Sequence, residues 1–253
     1  MPMILCEITR LASRVRVPSF NRCHGFSLVE LTLVLVIIGL VISSLIPPLS
    51  AQIDQRNYSE TRQQINEIRE ALIGFAVANG RLPRPATSLA DGSEKTTPCS
   101  PDTACTGYIP WATLGVKKTD AWNKMIGYSV TPAYANSVFT LSTVGSKKVQ
   151  TRDSSGATSY LIGASGSCST SSPCAPAVIY SFGKNNWGVS ADGSAIADSS
   201  STNTDEDTNA AASTLFFSRD QSTVASGGEF DDIVTWIPPY VLFNRMIAAG
   251  KLP

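Results

Sequence analysis

A long apolar run near the N-terminus constrains this chain more than any other feature. Glu30 is the only charged residue between Arg22 and Asp54, so no charged side chain occurs from Leu31 to Ile53. An uncharged apolar stretch of this length is sufficient for a helix to cross a bilayer. A carboxylate buried near the bilayer centre costs about 2.5–3.5 kcal/mol. We therefore expect Glu30 to have a function and a partner that compensates its charge.

Positive charge precedes the apolar run. Residues 1–25 contain four arginines and a single acidic residue, Glu7. Because positively charged flanks of a membrane segment stay in the cytoplasm, this bias predicts a cytoplasmic N-terminal segment and a C-terminal part outside the membrane.

The segment Gly25-Phe26-Ser27-Leu28-Val29-Glu30, which opens the run, resembles the processing site of type IV pilins and type II secretion pseudopilins. The resemblance implies that prepilin peptidase cleaves after Gly25, that Phe26 becomes the methylated N-terminus, and that Glu30 is needed for assembly. It also implies other pilin or pseudopilin subunits and an inner-membrane assembly platform as partners. An uncleaved signal anchor is the alternative interpretation of the same segment.

Cleavage at this site would explain why Glu30 is tolerated in an apolar helix. The new α-ammonium of Phe26 would pair with the Glu30 carboxylate of a neighbouring subunit and set the register between adjacent helices. An unpaired buried charge is costly, so such a pair favours correct docking. The alternative is that the Glu30 side chain extends to the lipid headgroups.

The chain without residues 1–25 has 16 basic and 19 acidic residues and lacks histidine, because His24 lies in the removed segment. The lack of histidine excludes Ser-His-Asp and Cys-His catalysis and most zinc sites. No basic patch indicates nucleic-acid binding. We therefore expect neither an enzyme nor a nucleic-acid-binding protein.

The helix that contains the apolar run is predicted to have two halves. Ser27 is the predicted N-cap, in a capping box with Glu30. Pro47 is expected to kink the helix. Residues 54–79 form the second, amphipathic half, and Gly80 occupies a C-cap-like position. Apolar residues recur there at helical spacing and are expected to pack on a sheet: Ile65, Ile68, Leu72, Phe75 and Ala76.

Residues 81–253 contain short apolar segments separated by turn-rich stretches, which indicates a β-rich region. The candidate strands are Met125–Thr131, Val138–Ser142, Tyr160–Ile162, Ala177–Phe182, Leu215–Ser218 and Asp232–Trp236. Tyr240–Ala249 is predicted as a terminal helix. The fold class is therefore α+β, with a long N-terminal helix packed on an antiparallel sheet. The predicted domains are a leader at 1–25, a helix at 26–80 and an extracytoplasmic domain at 81–253.

Two short motifs in the β-rich region also resemble pilin-like proteins. Leu82-Pro83 follows the helix, and Asp120-Ala121-Trp122 is similar to a D-x-W turn that leads into the first strand in that family. The family's glycine after the tryptophan is replaced by Asn123, which can adopt the same left-handed conformation.

Four cysteines remain outside the leader, in two pairs of equal spacing. An even number on an extracytoplasmic domain predicts two local disulfides, Cys99–Cys105 and Cys168–Cys174. Four cysteines allow three connectivities, and a site of four thiolates for a metal is a further alternative.

Two features of the sequence are compatible with ligand binding, although each has a structural alternative. Major pseudopilins bind calcium in a C-terminal loop, and the carboxylates of Asp205, Asp207, Asp231 and Asp232 are hard oxygen ligands of the kind calcium prefers. A solvated acidic loop is the alternative, and we otherwise expect no cofactor. Four tryptophans are either a sugar-stacking surface or part of the core: Trp111, Trp122, Trp187 and Trp236.

The resemblance and the charge pattern together predict a pilin-like structural subunit of a type IV pilus or a type II secretion pseudopilus. The size of its globular part favours a minor subunit. It is expected in the bacterial inner membrane, with one span and a periplasmic C-terminal domain, and then in the fibre. The alternative function is a membrane-anchored extracytoplasmic binding or adhesion protein.

Overall fold

A computed structural model of the chain describes residues 27–211, 213–222 and 226–252, and for residues 43–49 it describes the backbone alone. The chain divides into two compact units, Met1–Ser50 and Ala51–Pro253. Helix α1 (Leu28–Asn79) begins in the first unit and continues in the second. Among the described residues, no helix has a segment long and apolar enough to cross a membrane.

The second unit has an α+β architecture with two sheets. A four-stranded sheet has the order β1-β2-β5-β7 and is antiparallel throughout. A three-stranded sheet has the order β4-β3-β6, in which β3 pairs antiparallel with β4 and parallel with β6. The strands are β1 (Thr106–Tyr108), β2 (Gly127–Val130), β3 (Lys148–Arg152), β4 (Thr158–Ile162), β5 (Ala177–Ser181), β6 (Leu215–Phe217) and β7 (Ile233–Trp236).

The helices of the second unit after α1 are short except for the last. They are α2 (Trp111–Leu114), α3 (Pro132–Ala135), α4 (Thr204–Ala210) and α5 (Pro239–Ala248), with a 3-10 helix at Asp102–Cys105. Helix α5 begins at a proline, which lacks the N–H that the first turn would leave unpaired, and Gly250 beyond its end has a φ of 66°. The predicted terminal helix is confirmed, shifted by one residue.

The second half of α1 packs on one face of the four-stranded sheet. Its buried stripe is Ile65, Ile68, Leu72 and Ala76, with Ile73 beside it. These side chains share a core cluster with Tyr128 and Ile179, which alternate in the strands with residues of the opposite face. Gly80 ends the helix with a φ of 72° and donates its N–H to the carbonyl of Ala76. The predicted amphipathic half is therefore confirmed, although Phe75 is only half-buried.

The opposite face of the four-stranded sheet is covered by the three-stranded sheet. Val178 and Tyr180 of β5 form a second core cluster with Val149 of β3 and Phe216 of β6. Strands β2 and β5 are therefore buried along their whole length, because both of their faces are covered.

One predicted strand is wrong. Val138–Ser142 forms no strand, and its polar side chains form a local turn instead. The N–H of Thr140 bonds to Oγ1 of Thr143, and the N–H of Thr143 bonds to the carbonyl of Thr140. Hydroxyl side chains that bond to nearby backbone compete with strand pairing in this way. The other five predicted strands are confirmed, and β1 and β3 were not predicted.

Candidate functional site

The start of α1 has the Ser27 cap that its sequence predicts, which is the Ser27 half of the predicted capping box. Oγ of Ser27 accepts a hydrogen bond from the N–H of Glu30 at 3.1 Å, and the carbonyl of Ser27 accepts one from the N–H of Leu31 at 3.0 Å. A side-chain oxygen at the N-cap satisfies a main-chain donor that has no partner within the helix. The Glu30 carboxylate projects from this first turn on an exposed side chain.

Large apolar side chains surround the first turns of α1 on every face. The exposed fraction of these side chains ranges from 40% at Val34 to 80% at Leu28. The exposed residues are Leu28, Val29, Leu31, Leu33, Val34, Leu35, Val36, Ile37, Ile38, Leu40, Val41 and Ile42. Nearly consecutive positions cover the whole circumference of a helix, since each residue advances the helix by about 100°. A helix that is apolar all round is normally buried by other chains or by lipid.

The residues of the predicted cleavage site, Gly25 and Phe26, lie outside the described residues. Pro47 lies within the continuous helix α1, in the segment whose side chains are not described. Cleavage, methylation and a kink at Pro47 therefore stay predictions.

Each of the two short motifs is fixed by hydrogen bonds close to strand β2. The hydroxyl of Tyr128, in β2, donates to the carbonyl of Pro83 at 3.0 Å. Oδ1 of Asp120 accepts the N–H groups of Trp122 and Lys124, both at 2.9 Å. Asn123 has a φ of 65°, which is the left-handed conformation expected for it. The second motif thus forms the turn that the sequence predicts.

Both local disulfides are present in the structure. Cys99 bonds to Cys105, and Cys168 bonds to Cys174. The first pair is buried in the core cluster beneath α1. The four sulfurs are therefore engaged in disulfides rather than grouped as metal ligands.

The four tryptophans pack against the two cores. Trp111 and Trp122 contact the cluster beneath α1, and Trp187 and Trp236 contact the cluster between the sheets. They do not line one common surface, so the core interpretation of these residues fits the structure.

Two of the four calcium candidates are engaged elsewhere. Asp205 is 1% exposed and forms ion pairs with Arg152 at 2.7 Å and with Arg219 at 2.9 Å. Oδ1 of Asp207 accepts a hydrogen bond from the indole of Trp187 at 3.1 Å. Through these contacts the two carboxylates link α4 to neighbouring segments. They do not form one site with the other two candidates.

The other two candidates form a carboxylate cluster with Glu206. The cluster consists of Glu206, Asp231 and Asp232, and one carboxylate oxygen from each residue lies within 4.8 Å of the other two. Because calcium binds oxygens at about 2.3–2.6 Å, this spacing would allow all three to contact one ion. Burial raises the pKa of Asp231 to about 6 and raises the pKa of Asp232 well above its usual value. The loop is buried rather than solvated, so the alternative of a solvated acidic loop is wrong here.

The spacing of the carboxylate cluster suits a metal ion, but its surroundings suit one less well. The ammonium of Lys124 donates hydrogen bonds to three main-chain carbonyls of the loop after β5, those of Phe182, Asn185 and Asn186. Asp231 and Glu206 accept hydrogen bonds from Asn185 and Asn186 of the same loop. Glu206 belongs to the acidic run Asp205–Asp207, which the sequence marks as a source of oxygen ligands. Lys124 is not predicted, because no local pattern connects it with residues about 60 positions away.

Comparison with known proteins supports the interpretation of the N-terminal segment. Residues 20–46 match the family model described as the prokaryotic N-terminal methylation motif. This motif is the signature of type IV pilins and pseudopilins. No curated protein and no solved structure gives a significant match to the chain.

Proposed function

We propose that this chain is a pilin-like structural subunit that is processed by prepilin peptidase and assembled through α1 into a type IV pilus or a type II secretion pseudopilus. One observation carries the proposal. The helix that begins within the methylation motif exposes apolar side chains on every face from Leu28 to Ile42. Such a surface is stable in water only when other subunits or lipid cover it.

Glu30 would act as the contact that sets the helix register. Its main chain is capped by Ser27, while its carboxylate is exposed in the first turn of α1. Cleavage after Gly25 would place the α-ammonium of Phe26 four residues before this carboxylate. In two neighbouring subunits, the α-ammonium of one chain could then pair with the Glu30 carboxylate of the other. The attraction between the two charges is strong in apolar surroundings.

Membrane anchoring belongs to the same proposal. The subunit would reside in the inner membrane through the apolar part of α1, with its β-rich unit in the periplasm, before it enters the fibre. The two disulfides support an oxidising compartment for that unit. We further propose a minor subunit without enzymatic activity.

The alternative, an anchored binding or adhesion protein, has less support. Its proposed aromatic surface is not formed, since the four tryptophans pack against two separate cores. The two functions differ in what Glu30 does, because an anchored binding protein would need only the apolar segment.

The first experiment is an intact-mass and N-terminal sequence measurement on protein from cells with and without active prepilin peptidase. We expect a chain that begins at methylated Phe26 only when the peptidase is active. A full-length chain in both strains would contradict the proposal.

A substitution of Glu30 then tests assembly. We expect Glu30→Gln to be processed normally but to be missing from sheared fibres, because the charge pair is lost. The matched control is Glu67→Gln, which removes an exposed carboxylate from the second half of the same helix. Equal incorporation of both variants into fibres would contradict the role of Glu30 in assembly, and absence of the wild type from fibres would favour the anchored binding protein.

A further inference from the structure

The side chain of Lys124 is buried beneath the loop that follows β5. Lys124 is 2% exposed. Its Nζ donates hydrogen bonds to the carbonyl oxygens of Phe182 at 3.2 Å, Asn185 at 2.5 Å and Asn186 at 2.6 Å. A lysine ammonium has three N–H donors, so these three carbonyls satisfy all of them. We call this group of three carbonyl oxygens the carbonyl cage.

The carbonyl cage forms because the backbone conformation of the loop makes its three carbonyl groups point inward. Asn186 and Trp187 have φ values of 38° and 39°, in the left-handed region that costs non-glycine residues energy. Three buried carbonyl oxygens that converge on one point would lack hydrogen-bond donors if no positively charged group lay between them. The backbone conformation and the ammonium therefore depend on each other.

Carboxylates also bond to the loop that forms the carbonyl cage. Oδ2 of Asp231 accepts the N–H groups of Lys184 at 3.1 Å and Asn185 at 2.8 Å. Oε1 of Glu206 accepts the N–H of Asp231 at 2.8 Å. Oδ1 of Asp231 is buried without a hydrogen-bond donor among the described residues. This buried oxygen therefore lacks a hydrogen bond that would compensate its removal from water.

The surroundings of Lys124 act on its pKa in two opposite directions. Burial lowers the pKa of Lys124, and the carboxylates of Asp231, Asp120, Asp232 and Glu206 oppose that effect. These carboxylates therefore offset part of the effect that burial has on the ammonium.

We propose that Lys124 is the built-in cation of this loop, and that it takes the structural role of a bound metal ion, so that the cluster of Glu206, Asp231 and Asp232 binds no divalent cation while Lys124 is in place. This inference concerns the second unit alone and does not depend on the proposed assembly function. It also separates the acidic loop of this chain from a calcium site, although the carboxylate spacing would suit calcium.

The test compares thermal unfolding of the full chain in detergent, with millimolar CaCl₂ or with EDTA. We expect no difference between these conditions for the wild type. Lys124→Met should lower Tm by on the order of 10 °C, and CaCl₂ should recover part of this loss, because the vacated position then accepts a cation. The matched control is Lys118→Met, since Lys118 is a half-buried lysine that donates to one carbonyl, that of Ala191.

Two results would overturn the proposal. One is a wild-type Tm that falls in EDTA and returns with CaCl₂. The other is a Lys124→Met variant that is no less stable than Lys118→Met.

A second measurement keeps the proposal testable if Lys124→Met does not fold. Terbium luminescence sensitised by tryptophan reports a bound cation in the wild type directly. We expect no saturable terbium signal. A saturable signal that Asp231→Asn removes would contradict the proposal. Lys124→Met combined with Asp231→Asn should recover folding if the charge balance is what Lys124 provides, and no recovery would count against it.

Discussion

At the scale of single residues, the ion pair of Arg81 and Glu94 fixes the chain directly after α1. The guanidinium of Arg81 donates to both carboxylate oxygens of Glu94, at 2.8 and 2.7 Å. Glu94 also accepts the N–H of Arg84 at 3.1 Å. Both charged side chains are about four-fifths buried. Bidentate pairs of this kind have a fixed geometry and are stronger than exposed ion pairs.

This pair predicts a loss of stability in acid. Burial by itself would raise the pKa of Glu94, but the hydrogen bonds from Arg81 and Arg84 lower it below its usual value. A carboxyl whose pKa is lower in the folded state stabilises the fold above its unfolded pKa of about 4.3, and this contribution is lost as the pH falls through the folded pKa. Chemical denaturation from pH 7 to pH 3 should therefore show a steeper acid loss for the wild type than for Glu94→Gln.

At pH 7 we expect Glu94→Gln to lower the free energy of unfolding by about 1–2 kcal/mol. The control is Glu70→Gln, which removes an exposed ion pair with Arg245 and should change it by less than about 0.5 kcal/mol. Identical acid profiles for the wild type and Glu94→Gln would contradict the role of the pair.

At the scale of elements, α1 is one helix with two different surroundings. From Leu28 to Ile42 its apolar side chains are exposed, whereas from Ile65 to Ala76 a single apolar stripe is buried against the sheet. The local conformation is helical in both segments. The sequence difference is that the first segment is apolar all round and the second is apolar on one face, which is the pattern of a helix that packs on a globular core.

This difference predicts where α1 contributes to the stability of the second unit. Leu72 is fully buried beneath the helix, while Ile53, on the same helix, is 52% exposed. Leu72→Ala should lower the free energy of unfolding by about 3 kcal/mol, through lost burial and a cavity. Ile53→Ala should lower it by less than about 1 kcal/mol. Chemical denaturation of the full chain in detergent measures both, and equal losses would mean that α1 does not contribute to the core as described.

At the scale of the whole molecule, the second unit is layered around its four-stranded sheet. Helices α1 and α5 cover one face through residues that include Leu72 and Leu242, and the three-stranded sheet covers the other through Val149 and Phe216. Because the central strands have buried residues on both sides, the stability of the unit depends on all three layers.

The two disulfides lie in connections between these layers but differ in burial. We therefore expect their removal to lower the free energy of unfolding by different amounts. Closing a loop of this length is worth about 2 kcal/mol. Replacement of both Cys99 and Cys105 by alanine should cost more than this, since the pair is also part of the core beneath α1. The same replacement of Cys168 and Cys174 should cost about 2 kcal/mol or less, because Cys168 is half-buried. Denaturant midpoints of the two variants measure the difference, and a reversed order would contradict this account of the core.

Local patterns in the sequence predicted much of this molecule. The capped start of α1, its amphipathic second half, Gly80 at its end, the left-handed Asn123 and both disulfides depend on residues within a few positions of one another. Strand β3, with the sequence Lys-Val-Gln-Thr-Arg, was missed because only Val149 among its residues is buried, so no alternation of apolar and polar side chains marks it.

The sequence by itself determined the N-terminal segment and the α+β class, because helical periodicity, capping and the methylation motif are properties of contiguous residues. Only the tertiary structure decided the strand order, the parallel pairing of β3 with β6, and the meeting of Lys124 with the carbonyl cage and the carboxylate cluster. These contacts join residues tens of positions apart. They form because docking the layers buries apolar area, and the polar groups carried into the interior must then find partners there.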